Sequence, residues 1–328
     1  MMSSGAFAPF RMANRHGGLV LKYHRFSERP DARAISRPAF TEHLRYLSRR
    51  YTLVALQAMV AHLSAGSRPS RPFAAITIDD GHADAYDVAF PVLRQFGAPA
   101  TLFVVTGFLD GTCWLWADQV RYVIARTRRA RVSLQLGAEP MNLTLEDRAA
   151  RVAAGSDIND RLKQLPEHVR RDALTALACT LGVEIPTLPP SEYAPITWAQ
   201  AREMTANGLA VEPHTVTHPI LTNVSADQAR REVTESKARV EEMLGGRATT
   251  FCYPSGRWNR EVREVVERAG YAAAVTTSAG FNPPGVDPYC LNRFEADEVL
   301  ARFAKTTSGF DNCEQGLWQT GSRLVGVR

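Results

Sequence analysis

Short apolar runs alternate with amphipathic segments along most of this chain of 328 residues. Several runs have the β-branched, aromatic or small residues of buried strands: GLVLKYH (18–24), AAITI (74–78), ATLFVV (100–105), TTFCY (249–253) and YAAAVTT (271–277). Between the runs, apolar residues recur at helical spacing, as at Phe40, Leu44 and Leu47. This alternation indicates an α/β fold with a parallel sheet covered by helices. About seven predicted strands favour a barrel over an open sheet.

One long segment interrupts this alternation. Residues from about 125 to 190 contain two helical patterns, LEDRAARVAAGSDINDRLKQL and VRRDALTALACTLGV. We predict a helical insertion here, lying over one side of the barrel. The barrel itself is expected over residues 18–305, between an N-terminal tail at 1–17 and a C-terminal tail at 306–328.

The composition and charge exclude several classes of protein. Apolar residues make up 45% and charged residues 22%, the balance of a soluble globular protein. The net charge of +5 includes an arginine cluster at 126–132, but no nucleic-acid-binding motif accompanies it. We therefore expect no nucleic-acid partner. No run approaches the ~20 apolar residues of a transmembrane helix, so no transmembrane segment is expected.

The cysteines and the N-terminal residues bear on the compartment. The five cysteines are widely spaced and form no CxxC pair, which argues against a disulfide framework and against a structural zinc cluster. The first residues lack the apolar core of a signal peptide. We therefore expect a cytoplasmic protein, and the sequence leaves its oligomeric state open.

Two adjacent aspartates end the predicted strand AAITI. Asp79, Asp80 and Gly81 follow Ile78 directly, and two neighbouring carboxylates repel each other. One interpretation is a tight turn with Gly81 at positive φ. The other is a functional pair, because the chemistry of such barrels lies at the carboxyl ends of the strands. In that case a cation would relieve the repulsion, with one aspartate facing the ion and the other its bound water.

A pair of histidines follows another predicted strand. Pro213 and Pro219 flank the segment HTVTH, so His214 and His218 are expected on a loop or a single turn. Two histidines four residues apart also arise by chance. Together with one carboxylate, however, they make a catalytic type of metal site that leaves positions open for water and substrate. Metal-bound water is acidified, and an adjacent carboxylate can take its proton.

Three motifs in this order resemble those of a known family. TIDDG, HTVTH and YPSG, with FGAPATLFV after the aspartates, are similar to motifs of the polysaccharide deacetylases with a NodB-type domain, carbohydrate esterase family 4. LKYHRFSE resembles the YHR strand of the subgroup that includes exopolysaccharide deacetylases. The resemblance covers roughly residues 18–295, apart from the insertion. It implies a distorted (β/α)7-type barrel that removes N- or O-linked acetyl groups from sugars with a divalent metal.

The resemblance also implies a role for each matching residue. Asp79 would be the general base, and Asp80, His214 and His218 would hold the metal. Zn²⁺ is the ion expected first, with Co²⁺, Ni²⁺ and Mn²⁺ as alternatives. The metal would polarise the acetyl carbonyl, and Asp79 would deprotonate the attacking water.

The YPSG segment is expected to contribute to the substrate site. A backbone N–H near Tyr253–Ser255 would stabilise the oxyanion, and Tyr253 or Trp258 would supply an aromatic wall for the sugar. The predicted substrate-binding residues are Tyr253, Pro254, Ser255, Gly256, Trp258 and Arg293.

Two positions depart from the family's pattern. The late motif that often supplies a histidine as the acid reads CLNRF here, and Arg293 in its place cannot give up a proton near neutral pH. In the YHR subgroup the histidine that ends the first strand fills this role, so we predict His24 as the general acid. A histidine bonded to a backbone carbonyl is the alternative. Arg293 would instead pair with Asp79 or orient the substrate. Cys252 stands where the family often has an arginine, and we predict no nucleophilic role for its thiol.

Three hypotheses for the function follow. The first is a metal-dependent hydrolase that removes N-acetyl, or O-acetyl, groups from an amino sugar or polysaccharide. The second is a metal-independent hydrolase of cyclic amides with the same fold, although such variants usually lose the metal ligands. The third is a degenerate barrel that binds glycan without turnover. The expected partner is an N-acetylated carbohydrate, whose identity the motifs do not specify.

Overall fold

The computed structural model describes residues 7–14, 16–66, 69–136 and 140–310. The strands within these residues are β1 (Leu19–Tyr23), β2 (Phe26–Ser27), β3 (Ile35–Ser36), β4 (Thr52–Leu53), β5 (Phe73–Ile78), β6 (Ala100–Val104), β7 (Arg131–Gln135), β8 (Pro140–Thr144), β9 (Ala210–Pro213), β10 (Thr250–Cys252), β11 (Ala273–Val275) and β12 (Phe294–Glu295). The helices are α1 (Ala8–Ala13), α2 (Arg37–Arg50), α3 (Leu56–Ser64), α4 (Phe90–Phe96), α5 (Thr106–Leu109), α6 (Trp116–Arg126), α7 (Arg148–Leu162), α8 (Glu167–Leu181), α9 (Trp198–Ala206), α10 (Ala226–Leu244), α11 (Arg260–Arg268) and α12 (Leu300–Ser308). Among the described residues, no helix combines the length and the apolar character that crossing a bilayer requires.

The central sheet is parallel throughout. Its order is β12-β1-β5-β6-β9, and β4 pairs with the start of β5. In the register of the sheet, Leu21 of β1 lies between Ile76 of β5 and Phe294 of β12. The residues of β1 and β6 are all buried, as expected where helices cover a parallel sheet. The predicted α/β class and the parallel sheet are confirmed.

A second parallel pair, β10–β11, continues the barrel. Among the described residues no backbone ladder joins β9 to β10. Instead, the buried carboxylate of Glu212 on β9 accepts hydrogen bonds from the backbone N–H of Thr249 (2.9 Å) and of Thr250 (3.0 Å). On the far side, Val275 of β11 pairs with Leu291, just before β12. The Glu212 side chain therefore takes the place of backbone hydrogen bonds between β9 and β10. The strands close into the distorted barrel that was predicted.

Alternate residues of each strand pack on opposite faces, as the twofold period of a strand requires. Leu19 and Leu21 belong to the outer core, which includes Phe40 of α2. Val20, between them, belongs to a smaller cluster that includes Phe103 and Cys252 of neighbouring strands. Thus one face of the sheet anchors the helices, while the other brings side chains together inside the barrel.

The insertion contains a β-hairpin as well as helices. β7 and β8 pair in antiparallel register, with Arg131 opposite Thr144, ahead of α7 and α8. These strands are buried on one face only, through residues such as Leu134 and Leu143. The prediction of a purely helical insertion missed them because it sought continuously apolar strands. α6 joins the hairpin, α7 and α8 in a core of their own, through Val123 among others.

The predicted tails are partly structured. α1 lies within the predicted N-terminal tail, and the backbone of Gly18 pairs with that of Asn282. At the other end α12 continues to Ser308, beyond the predicted boundary at 305, because Phe303 and Thr307 are buried. Most of the predicted C-terminal tail, residues 311–328, lies outside the described residues.

Candidate active site

A cleft of about 1220 Å³ opens at the carboxyl ends of the barrel strands. The side chains at its floor each follow a different strand: His24 follows β1, Asp79 and Asp80 follow β5, His214 follows β9 and Tyr253 follows β10. All these strands are parallel, so their carboxyl ends meet on one side of the barrel. Residues far apart in the sequence therefore converge on one cleft.

Two imidazoles and one carboxylate converge at this floor. The Asp80 Oδ1 atom lies 3.6 Å from Nε2 of His214 and 3.6 Å from Nε2 of His218. The two Nε2 atoms lie 3.2 Å apart. Donor atoms bound tetrahedrally to Zn²⁺ at about 2.0–2.1 Å would be about 3.4 Å from one another. The three predicted metal ligands thus have the spacing of donors around a single small ion.

The histidines are held in the form that binds a metal. Nδ1 of His214 donates a hydrogen bond to the Cys252 carbonyl (2.7 Å), which leaves the Nε2 lone pair facing Asp80 and His218. Burial lowers the pKa of His214, and burial together with the neighbouring imidazole lowers the pKa of His218 to about 3. Both rings are therefore neutral near pH 7. Two neutral nitrogens and one carboxylate fit a divalent cation such as Zn²⁺, although other ions accept the same donors.

The backbone around these ligands is strained. Asp80, Thr215 and His218 have φ of 77°, 70° and 57°, a region that residues other than glycine rarely occupy. The buried carboxylate of Glu232 accepts hydrogen bonds from the backbone N–H of Val216 (2.8 Å) and of Thr217 (2.9 Å). The fold therefore maintains an unfavourable local conformation that aims the ligands at one point.

Asp79 is paired with Arg293 rather than with the histidines. The guanidinium donates to both carboxylate oxygens, Nη1 to Oδ1 at 2.7 Å and Nη2 to Oδ2 at 2.8 Å. Nε of Arg293 donates to the Thr276 carbonyl, and Nη1 also donates to Thr77 Oγ1. These bonds fix the plane of the guanidinium group. Burial opposes the charged carboxylate, but the adjacent guanidinium holds the pKa of Asp79 well below its usual range. Two roles were predicted for Arg293, pairing with Asp79 and orienting the substrate. The structure shows the pairing with Asp79.

Cys252 fills the space beside this pair. Its Sγ atom lies 3.3 Å from Nη2 of Arg293 and 3.9 Å from Nε2 of His214. Burial raises the pKa of the thiol well above its ordinary value. A neutral, fully buried thiol is a poor nucleophile, and the absence of a nucleophilic role stays a prediction.

His24 lies between the pair and the rim of the cleft. Its Nε2 is 3.7 Å from Oδ2 of Asp79 and its Nδ1 is 3.5 Å from Oε1 of Glu295, and 37% of its side chain is exposed. Burial acts to lower the His24 pKa, but the Glu295 contact and the charges of Asp79 and Asp80 raise it above its ordinary value. The predicted acid is thus partly open to the cleft and favoured in its protonated form.

The YPSG segment reaches the cleft only in part. Tyr253 and Ser255 line it, whereas Trp258 is absent from the described residues that do so and is 40% exposed elsewhere. The N–H of Tyr253 donates to the Val275 carbonyl, so it is not free to stabilise an oxyanion. Ser255 has φ of 55°, and a Cβ on Gly256 would clash with the backbone of Thr277. The prediction of Trp258 as a sugar wall is therefore corrected. Of the N–H groups predicted near Tyr253–Ser255 as oxyanion donors, that of Tyr253 is already bonded.

The sequence motifs missed several residues at the cleft. Glu295 on β12 stands two residues after Arg293, and in an extended segment this spacing places both side chains on one face. The twofold period of a strand could therefore have identified Glu295 from the sequence. Asp160 and Lys163 line the cleft from the insertion, and Arg121 lines it from α6. No local pattern marks them, because they reach the cleft only through the packing of the insertion.

The fold and the site together define an α/β-barrel enzyme with a candidate metal centre at the ends of its strands. Solved structures share this fold. The Streptococcus pyogenes deacetylase PplD, solved in complex with acetate, matches with a TM-score of 0.58 and 20% identity, covering 86% of this chain and 92% of that one. IcaB from Ammonifex degensii matches with a TM-score of 0.57 and 20% identity, covering 88% and 97%.

Sequence comparison identifies the family. The family model for polysaccharide deacetylases matches residues 66–136 and 141–274, more than half of the chain. YxkH of Bacillus subtilis (strain 168) is 22% identical over 275 residues, which is 84% of this chain and 69% of that protein. The chain therefore belongs to the polysaccharide deacetylase family, carbohydrate esterase family 4, as its three motifs indicated. It is an enzyme of the class that deacetylates polysaccharides.

Proposed function

We propose that this protein is a metal-dependent hydrolase that removes N-acetyl groups from an amino sugar within a polysaccharide or oligosaccharide. The observation that carries this proposal is the convergence of Asp80 Oδ1, His214 Nε2 and His218 Nε2 at 3.2–3.6 Å beside the Asp79–Arg293 pair. Asp80, His214 and His218 would hold the ion, with Zn²⁺ expected first and Co²⁺, Ni²⁺ or Mn²⁺ as alternatives. When bound, such an ion supplies a Lewis acid for the acetyl carbonyl and acidifies a water molecule.

Asp79 is the proposed general base. Its lowered pKa keeps the carboxylate ionised at any working pH, and its Oδ2 faces the cleft side where His24 lies. Arg293 uses one lone pair on each carboxylate oxygen, so the remaining lone pairs can accept the proton of an attacking water. Arg293 also fixes the carboxylate plane, which orients the base before substrate arrives.

His24 is the proposed general acid. Its Nε2 would give a proton to the amine nitrogen as the C–N bond breaks, and Glu295 on the opposite ring nitrogen would stabilise the protonated ring. The 3.7 Å between His24 Nε2 and Asp79 Oδ2 keeps acid and base on neighbouring sides of one reacting centre. A cytoplasmic location remains our proposal from the sequence.

Two conservative variants separate the ligand from the base. We expect Asp80→Asn to lose bound metal and activity together, because the amide offers a neutral donor where the ion needs a charged one. Asp79→Asn should keep the metal and lose acetate release by at least about 10²-fold, the lower range for general base catalysis. The measurements are metal content by mass spectrometry and acetate release from N-acetylglucosamine oligomers.

Each of the other hypotheses predicts a different result from these variants. A metal-independent hydrolase would purify without stoichiometric metal and keep its activity in chelator. A glycan-binding barrel without turnover would release acetate equally slowly with and without Asp79. Either result would overturn the proposed mechanism.

A further inference from the structure

A second groove on the insertion lies beside the catalytic cleft. This groove, of about 640 Å³, lies among the loop before α7, the end of α6 and one face of α7. It shares Arg33, Arg121, Asp160 and Lys163 with the catalytic cleft. The volume falls within the roughly 300–1,000 Å³ typical of pockets for small organic ligands. The groove and the cleft are therefore neighbours that share a wall of four residues.

Gly155 forms part of the floor of this groove. It stands in the middle of α7, where glycine destabilises a helix by about 1 kcal/mol relative to alanine. It is buried, yet a Cβ added to it would meet no atom within 4 Å. The packing of the protein therefore does not require glycine here, whereas a ligand that approaches the helix backbone would.

Asn159 lies one helical turn beyond Gly155 and also lines the groove. Its side chain is 6% exposed, and its Oδ1 atom has no hydrogen-bond partner in the described structure. A buried amide oxygen without a partner is destabilising, so a ligand that donates a hydrogen bond to it would recover that free energy.

The remaining groups of the groove suit a polyhydroxylated ligand. Ser156, Asp160 and Lys163 present hydroxyl, carboxylate and ammonium groups along α7. Lys163 and Asp160 are paired at 2.9 Å, and the groove is also lined by four arginines, Arg33, Arg121, Arg148 and Arg151, and by the acidic residues Glu146 and Asp147. Alternating donors and acceptors of this kind match the hydroxyl groups of a sugar.

We propose that this groove binds the sugar units adjacent to the acetylated one, so that the enzyme acts on an oligosaccharide chain rather than on a single sugar. The inference rests on the proposed function for the position of the acetylated unit. It assigns to Gly155 and Asn159 a role in recognising chain length, and it gives the insertion a function in substrate selection.

The test compares two phenylalanine variants of the same helix in the full-length protein. Gly155→Phe would fill the groove, whereas Ala153→Phe places the same side chain on an exposed position of α7 outside the groove. Both are made together with Asp79→Asn, so that binding is measured without turnover. The probe is the pentasaccharide of N-acetylglucosamine, and calorimetry gives its Kd; the disaccharide is measured alongside.

We expect Gly155→Phe to weaken pentasaccharide binding by at least about tenfold and to leave disaccharide binding within about twofold. Ala153→Phe should change neither. Asn159→Leu, which keeps the volume of the side chain, should weaken the pentasaccharide alone. Equal pentasaccharide binding in the two phenylalanine variants, or equal losses for both sugars, would overturn the inference. Because these are binding measurements, they remain decisive even if the unmodified enzyme releases no acetate, the result that would overturn the proposed function.

Discussion

The candidate catalytic groups of this protein are held by contacts between a few individual residues. Arg293, which directly precedes β12, donates to the carboxylate of Asp79, and its Nη2 lies 3.3 Å from Sγ of Cys252. The position that often holds an arginine in the family thus holds a small residue, and the position that often holds a histidine holds the arginine. The positive charge beside Asp79, the proposed base, thus comes from the residue before β12.

The bidentate pair predicts the effect of a conservative change at Arg293. Lysine keeps the positive charge but cannot donate to both oxygens of Asp79 in one plane. We expect Arg293→Lys to lower kcat by about 10²-fold through misorientation of the base while metal content stays unchanged. Steady-state kinetics with metal analysis measures both. Full activity in Arg293→Lys would mean that charge alone suffices.

The raised pKa of His24 predicts the alkaline side of the pH profile. As an acid His24 must be protonated, so kcat/KM should fall as pH rises through a pKa above the ordinary 6.5. Asp79 has a lowered pKa, so its protonation should not limit activity at moderately acid pH. We expect His24→Gln to lower the rate and to abolish the alkaline limb. A mutant that retains the same limb would exclude His24 as the acid.

At the scale of elements, the loop after β5 connects the barrel to the insertion. His82 Nε2 lies 2.7 Å from Oδ2 of Asp118 on α6, and both side chains are buried. Arg121, which lines both the cleft and the groove, donates to the other oxygen of Asp118 at 2.6 Å. The same loop carries Asp79 and Asp80, so the position of the insertion is linked to that of the catalytic residues.

This buried contact predicts a large loss of stability on removal of its carboxylate. Asp118→Ala should lower the free energy of unfolding by about 3–5 kcal/mol. The substitution removes the carboxylate that contacts Nε2 of His82 and accepts a hydrogen bond from Nη1 of Arg121. Denaturant unfolding measures the change. The control is Asp227→Ala, since the Asp227–Arg230 pair is exposed and 3.6 Å long and should contribute at most about 1 kcal/mol. Equal effects of the two variants would contradict the anchoring role.

At the scale of the whole molecule, a buried histidine outside the candidate metal centre is expected to couple stability to pH. His43 of α2 is fully buried, stacked on Phe303 of α12 with ring centroids 3.8 Å apart, and its Nδ1 lies 3.3 Å from the Tyr23 hydroxyl. Burial lowers its pKa to about 4. The last helix of the barrel thus packs on a ring that is stable only when neutral.

The folded protein should therefore lose stability as the pH falls. Above about pH 6.5 His43 is neutral in both the folded and unfolded states, and below that value the unfolded state gains a proton that the folded state excludes until about pH 4. The expected loss over this window is about 3 kcal/mol from this group. Denaturant unfolding across the window measures it, and His43→Gln should flatten the dependence. An unchanged slope in His43→Gln would assign the effect to other groups.

Much of the fold and of the candidate site could be predicted from local patterns. The alternation of apolar strands and helices gave the barrel, and the motifs TIDDG and HTVTH gave Asp79, Asp80, His214 and His218. The structure brings Asp80, His214 and His218 to one point, with Asp79 beside them. The hairpin β7–β8 could not be found, because a strand buried on one face by an insertion has no continuous apolar run. The exposed position of Trp258 was also missed, since proximity in sequence to YPSG does not determine which way a side chain turns.

The sequence by itself determined which elements form and which residues end each strand, because propensity and periodicity act over a few neighbouring residues. Only the tertiary structure decided that Arg293 pairs with Asp79, that Glu212 bridges two strands and that the insertion extends the cleft. These contacts join residues 37 to more than 200 positions apart. They depend on how parallel strands close into a barrel, a property of the whole chain that no local segment encodes.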